Sequence, residues 1–190
     1  GLLGMTASEE YGGTNMGYLA HIVALEEISR ASASIGLSYG AHSNLCVNQI
    51  RRNGTEAQRQ KYLPKLISGD HVGALAMSEP NAGSDLAAIS SKAKAVGDGT
   101  FLVSGTKIFI TWGEHDVAEN IVHLVLARLP DAPPGLKGIS LFLVPKFLVN
   151  ADGSLGARND VKCVSIEHKL GIHASPTCVM LFGEEGGATG

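Results

Sequence analysis

Apolar side chains recur at two different periods along this chain, and the change falls near residue 70. Between Met16 and Ser32, Leu19, Ile22, Val23, Leu25 and Ile28 return mostly every three or four positions, with Glu26 and Glu27 between them. That is the spacing of one helix face. A second helix is predicted over Ile35–Arg52, stopping at Asn53-Gly54, a C-terminal signal. A third starts at Thr55, where Gln58 three residues on completes a capping-box pattern. Tyr62, Leu63, Leu66 and Ile67 form its predicted buried face, Pro64 is expected to disturb its middle, and Gly69-Asp70 ends it.

Beyond residue 70 the period falls toward two. Short apolar runs cover Val72–Met77, Thr100–Ile110, Ile121–Ala127, Ile139–Val144, Val161–Ile166 and Cys178–Phe182. Turn signals such as Pro80-Asn81, Gly97-Asp98-Gly99 and Asn150-Ala151-Asp152-Gly153 separate them. Short strands without intervening helices predict an antiparallel sandwich or barrel. The expected fold class is α+β, with residues 1–70 helical and 71–190 β.

Composition changes this picture little. Hydrophobic residues are 44% and charged residues 17% of the chain, ordinary globular usage rather than that of a disordered segment. Glycine is in excess, 24 of 190, with no collagen period, which implies many turns or close backbone approaches. The net charge is −3 and no basic run occurs, which argues against nucleic-acid or anionic-membrane binding. No apolar run approaches the roughly 20 residues that span a bilayer. The first residues carry neither an initiator Met nor a charged leader, and the glycine-rich end has no closing element. The sequence is therefore expected to be a piece of something longer. Cys46, Cys163 and Cys178 are odd in number and far apart, which supports neither a disulfide framework nor a zinc site. They read as core or near-core residues in a reducing compartment. No metal-ligand spacing is found among the histidines; His42 reads as a satisfied polar residue, and Glu114-His115-Asp116 as a solvated turn.

Two segments carry candidate chemistry. In Leu75-Ala76-Met77-Ser78-Glu79-Pro80-Asn81-Ala82-Gly83-Ser84-Asp85 a strand runs into a turn where Asn81 and Gly83 can take left-handed angles. Such a turn can aim backbone N–H groups into a concavity that suits a phosphate, or can be an ordinary polar turn. In Gly105-Thr106-Lys107-Ile108-Phe109-Ile110-Thr111-Trp112-Gly113 a strand ends in two aromatics around a hydroxyl. Those side chains could wall a pocket for a planar heterocycle, or pack in a core.

Together the two segments resemble the acyl-CoA dehydrogenase family, whose pattern is Thr/Ser-Glu-Pro-x-Ala-Gly-Ser-Asp followed by Gly-x-Lys-x-Trp-Ile-Thr-Asn. Ser78 to Asp85 matches every specified position of the first. Glu10-Tyr11-Gly12-Gly13, Glu26-Glu27-Ile28-Ser29-Arg30-Ala31 and Tyr62-Leu63-Pro64-Lys65-Leu66 are similar too. Ser38-Tyr39-Gly40-Ala41-His42-Ser43-Asn44-Leu45-Cys46 resembles the isovaleryl-CoA dehydrogenase branch, and the part after residue 128 resembles longer bacterial members. The departures are Phe109 for Trp, Trp112 for Asn, and His173 where many relatives have Arg.

The resemblance implies the end of an N-terminal helical domain (1–70) and the middle β-barrel domain (71–190), with the C-terminal helical domain absent. It implies FAD contacts at Leu75, Ala76, Met77, Ser78, Gly83, Ser84, Phe109, Ile110 and Thr111, with Ser84 also touching the acyl-CoA. Ser78 would serve the pyrimidine edge of the ring and Thr111 the nitrogen that receives hydride. The family's catalytic glutamate belongs to the absent domain, so no base is assigned here. The implied reaction is α,β-dehydrogenation of a short- or branched-chain acyl-CoA, with an electron-transfer flavoprotein as acceptor. A homodimer or homotetramer in the bacterial cytoplasm or mitochondrial matrix is expected. Acyl-CoA oxidases, flavin monooxygenases of the same fold and a non-catalytic binding module are the alternatives.

Overall fold

The computed structural model describes residues 1–190. Four α-helices come first: α1 (Gly17–Ala31), α2 (Ala33–Gly40), α3 (Asn48–Asn53) and α4 (Glu56–Ser68). Ser32 breaks α1 from α2, turning extended (φ −157°) while its hydroxyl accepts from Ile35 N. At α4 the capping box is complete: Thr55 Oγ1 accepts from Gln58 N at 3.2 Å and Gln58 Oε1 from Thr55 N at 2.9 Å.

The predicted second helix is not one regular element. Between α2 and α3 the backbone widens into a π-helical stretch, Ala41–Val47. There Ser43 Oγ donates back to Tyr39 O at 2.6 Å, and such local back-bonding competes with regular helical spacing. The apolar stripe of α1 also departs from expectation. Leu19, Ile22 and Val23 are exposed, and His21 is the residue α1 buries. Pro64 does not break α4, which runs through it to Ser68.

Ten strands follow: β1 (His71–Ala76), β2 (Lys92–Ala95), β3 (Phe101–Thr111), β4 (Asn120–Arg128), β5 (Ile139–Pro145), β6 (Phe147–Val149), β7 (Leu155–Arg158), β8 (Val161–Ile166), β9 (Thr177–Phe182) and β10 (Ala188–Thr189). Eight form one curled sheet in the order β1-β4-β2-β3-β9-β8, with β5 on β4 and β10 on β3; β6 and β7 make a separate hairpin. The sheet is not uniformly antiparallel. β1 pairs with β4 in parallel from His71↔Asn120 to Ala76↔Val125. That pairing needs a long crossover, supplied by the chain that forms β2 and β3 on the way.

β4 explains how the two halves join. Ile121, Val125 and Ala127 enter one apolar cluster with Ala74, Val103, Phe142, Met180 and Phe182. Val122 and Leu124 enter a second with Cys46, Ile50, Leu63 and Leu66 of the helical part. A strand covered on both faces reads as a continuous apolar run rather than an alternation, which is how 121–127 reads in the sequence. No helix is long and apolar enough to cross a membrane.

Candidate functional site

β1 pairs with β4 on one edge, which leaves the Gly73 amide of the other edge facing the helices. His42, in the π-helical stretch, accepts from Gly73 N through Nδ1 at 2.9 Å, so the His42 proton sits on Nε2. The close approach depends on glycine: a Cβ at residue 73 would lie 2.3 Å from Cβ and Sγ of Cys46. This contact brings Ala41 and Leu45 over the end of β1.

A shallow depression of about 140 Å³ results, lined by Ala41, Leu45, Leu75, Met77, Ser78, Phe109, Ile110 and Thr111. Six of the nine residues singled out from the sequence meet there. Ala76 does not, because alternation turns it into the core inside the sheet, where it is fully buried. Gly83 and Ser84 lie outside the depression, on an exposed turn. Ala41 and Leu45 carried no sequence signal as site residues, since their neighbourhood depends on the π-helical stretch and on Gly73.

Part of the lining is apolar and exposed, Leu45 40%, Met77 37% and Phe109 60%, while Ala41 and Ile110 are buried. Such a face is normally covered by something. Ser78 and Thr111 add hydroxyls beside it. Phe109 owes its exposure to a break in register between Lys107 and Ile110 of β3, where it takes φ +58°. Trp112 repeats that angle three residues on, and a bulky residue so placed costs about 1–3 kcal/mol. Trp112 faces away from the depression. With His42 and Val72 it lines a larger cavity of about 500 Å³ between the helices and the end of β3.

The turn after β1 is held from behind. Glu79 and Ala82 exchange backbone hydrogen bonds at 2.8 and 3.1 Å, and the buried Glu79 carboxylate pairs with Lys107 at 2.8 Å. Burial alone would raise the Glu79 carboxyl, but Lys107, Ser91 and Ser90 outweigh it and hold it down at about 2. Sequence reasoning missed this pair. The expected left-handed angles at Asn81 and Gly83 are not found. A Cβ at Gly83 would project into open space, so nothing within the chain requires glycine there.

Two further expectations change. Glu114 is half-buried and bonds Lys146, while both ring nitrogens of His115 are buried without partners. The segment is therefore not a solvated turn, and burial pushes His115 down to about 4. His42 is only half satisfied: its Nε2 has no partner, and burial pushes it to about 4 as well. Cys46 and Cys178 are buried thiols pushed up to about 12 by burial, and so unreactive. His173 is exposed.

The sequence model described as acyl-CoA dehydrogenase, N-terminal domain, matches residues 1–70, and that of the middle domain matches residues 74–184. A mitochondrial isovaleryl-CoA dehydrogenase of Arabidopsis thaliana is 52% identical over 181 residues, 95% of this chain and 40% of the relative. A 3-methylmercaptopropionyl-CoA dehydrogenase of Ruegeria pomeroyi is 48% identical over 91% of this chain and 29% of its own length. Among solved structures, an acyl-CoA dehydrogenase of Bacillus anthracis complexed with FAD superposes with a TM-score of 0.81 at 29% identity, covering 100% of this chain and 29% of that one. The chain thus spans well under half the length of the relatives it matches.

Proposed function

This chain belongs to the acyl-CoA dehydrogenase family, and we propose that the protein it forms part of carries out FAD-dependent α,β-dehydrogenation of a short- or branched-chain acyl-CoA to the 2,3-enoyl-CoA. The observation that carries this reading is the exposed apolar depression where Leu75, Met77 and Ser78 meet Phe109, Ile110 and Thr111. A planar aromatic ring with a polar edge fits such a face. Apolar groups left open would be covered, and hydroxyls would meet the heteroatoms. The identity to isovaleryl-CoA dehydrogenase supports a branched short acyl group.

In this reading residues 1–70 and 71–190 belong to two domains of a longer enzyme. FAD, when bound, supplies the acceptor for the hydrogen pair removed from the acyl chain. Leu75, Met77, Phe109 and Ile110 exclude water from one side of the ring, and Ser78 and Thr111 offer hydroxyls to its edge. Ala76 contributes backbone and core packing behind them. Gly83 and Ser84 extend the contact toward the phosphates, and Ser84 also meets the acyl-CoA. The open space at Gly83 supports this, since the reason for glycine there then lies in what the turn touches. The base is not assigned within these residues: Glu79, the carboxylate of the motif, is committed to Lys107. The reading includes an electron-transfer flavoprotein as acceptor, a homodimer or homotetramer, and a bacterial cytoplasmic or mitochondrial matrix location.

Purified full-length protein is expected to be yellow. It should bleach anaerobically with isovaleryl-CoA and reduce an artificial electron acceptor. Replacing Ser84 by a bulky residue should weaken binding of FAD or acyl-CoA. A colourless protein that FAD cannot reconstitute would refute the flavin reading, and prompt peroxide formation on substrate addition would move the activity to an oxidase.

A further inference from the structure

The two segments that line the depression are tied by a contact that never reaches the surface. Glu79 Oε1 accepts from Lys107 Nζ at 2.8 Å, Ser91 N at 3.0 Å and Ser91 Oγ at 2.6 Å. Its Oε2 accepts from Ser90 N at 2.7 Å and Ser90 Oγ at 2.8 Å. Lys107 Nζ also donates to Met77 O at 3.0 Å, and Ile108 N to Ser78 O at 2.9 Å. The Lys107 and Glu79 side chains are 0% and 5% exposed. With its oxygens occupied this way, the carboxylate has no role in contacting a ligand.

Nor is stability a sufficient reason for it, because a buried ion pair often does no better than an apolar pair of similar volume. Its place in the strand is more telling. In a regular strand Lys107 and Phe109 would point to the same side. Here Lys107 is buried and Phe109 is 60% exposed; the register breaks after Lys107, and Phe109 itself takes φ +58°. A bulge re-aims one side chain while the ladder continues, and this one begins directly after Lys107, whose ammonium is anchored inside the fold. The same ammonium donates to Met77 O, so one group touches both the break in β3 and the end of β1.

We propose that Glu79 and Lys107 are positioning residues that, without touching the cofactor, bring Ser78 on one segment and Phe109 and Thr111 on the other into a single face shaped for a flavin ring. The inference rests on the flavin reading above, so binding of FAD by the wild-type full-length protein is measured first; failure there refutes that reading and not the role of the pair. The decisive variant is the double substitution Glu79→Gln/Lys107→Met, which removes both charges and leaves neither buried alone.

In the flavin-free state this variant should still unfold cooperatively but melt below wild type, because one end of the amide introduced at residue 79 is an NH2 set against the N–H of Ser90 or Ser91. Its FAD dissociation constant should rise at least 10-fold, about 1.4 kcal/mol. The visible absorption bands and the reduction potential of the remaining bound flavin should shift, because the groups at the ring edge have moved. Spectrum and potential decide the matter: a merely loosened fold weakens binding without moving them, and wild-type values overturn the proposal even if affinity drops. Should the double variant not fold, Lys107→Arg, which keeps the charge and changes its reach, is read the same way. A shifted spectrum and potential support the positioning role, and unchanged ones overturn it.

Discussion

At Gly73 the helices and the sheet meet with no space for a side chain. The Cβ of an alanine would fall 2.3 Å from Cβ and Sγ of Cys46, which is fully buried and cannot retreat. Overpacking of this kind costs about 1–3 kcal/mol, and the bond from Gly73 N to His42 would be strained as well. Gly73→Ala should therefore lower stability by about 2–3 kcal/mol, read as a drop in the denaturant or thermal midpoint; an unchanged midpoint would mean that the π-helical stretch shifts freely. Nothing in the sequence separates Gly73 from the other glycines, because its constraint comes from a helix some thirty residues earlier. The Ser78–Asp85 turn, by contrast, could be read directly, since its signature is contiguous. Glu79 and Lys107 lie between these cases. Both are visible in the motifs, but a charged residue in a turn or a strand reads as solvent-facing until the fold brings its partner to it.

At the scale of elements, the signals that worked were those acting within one turn. The capping box of α4 and its end at Gly69, which takes φ +93°, depend on residues a few positions apart. The π-helical stretch and the parallel β1/β4 pairing depend on partners far along the chain, and periodicity holds no trace of them. α1 shows the opposite failure: its stripe is present in the sequence, but these residues bury little of it. Pro64 offers a quantitative check on the balance between local and tertiary terms. It is exposed within α4, has no N–H to give to Gln60 O, and crowds that carbonyl. The helix persists because Tyr62, Leu63, Leu66 and Ile67 are buried, which outweighs a penalty near 3 kcal/mol. Pro64→Ala should thus raise stability by about 1–3 kcal/mol in a melting experiment. A fall instead would show that the ring itself is part of the packing.

For the molecule as a whole, one weak point under acid is the joint between helices and sheet. His42 lines the cavity there together with Trp112, and His115 lies against Trp112 with ring centroids 4.6 Å apart. Burial holds both histidines at about 4, below the ordinary 6.5. The unfolded chain therefore binds more protons than the folded one between those values. Stability is at its full level above pH 6.5 and is lost as pH falls toward 4, by on the order of 3 kcal/mol for His42 and by less for His115, which is only partly buried. Glu79 works in a lower window. Its carboxyl is held at about 2 against an ordinary 4.5, so its contribution is complete above pH 4.5 and is lost only below that. The histidines titrate at higher pH than the carboxylate and several are buried, so most of the loss should precede its protonation. Melting temperatures between about pH 7.5 and 4 should fall steadily from pH 6.5 downward. Replacing His42 and His115 together by Gln should make that slope shallower, the rest being carried by His21, His71 and His123, which burial also pushes down, and should leave the loss below pH 4.5 in place. A wild-type profile that stays level down to pH 4.5 would instead assign the acid sensitivity to the Glu79–Lys107 pair.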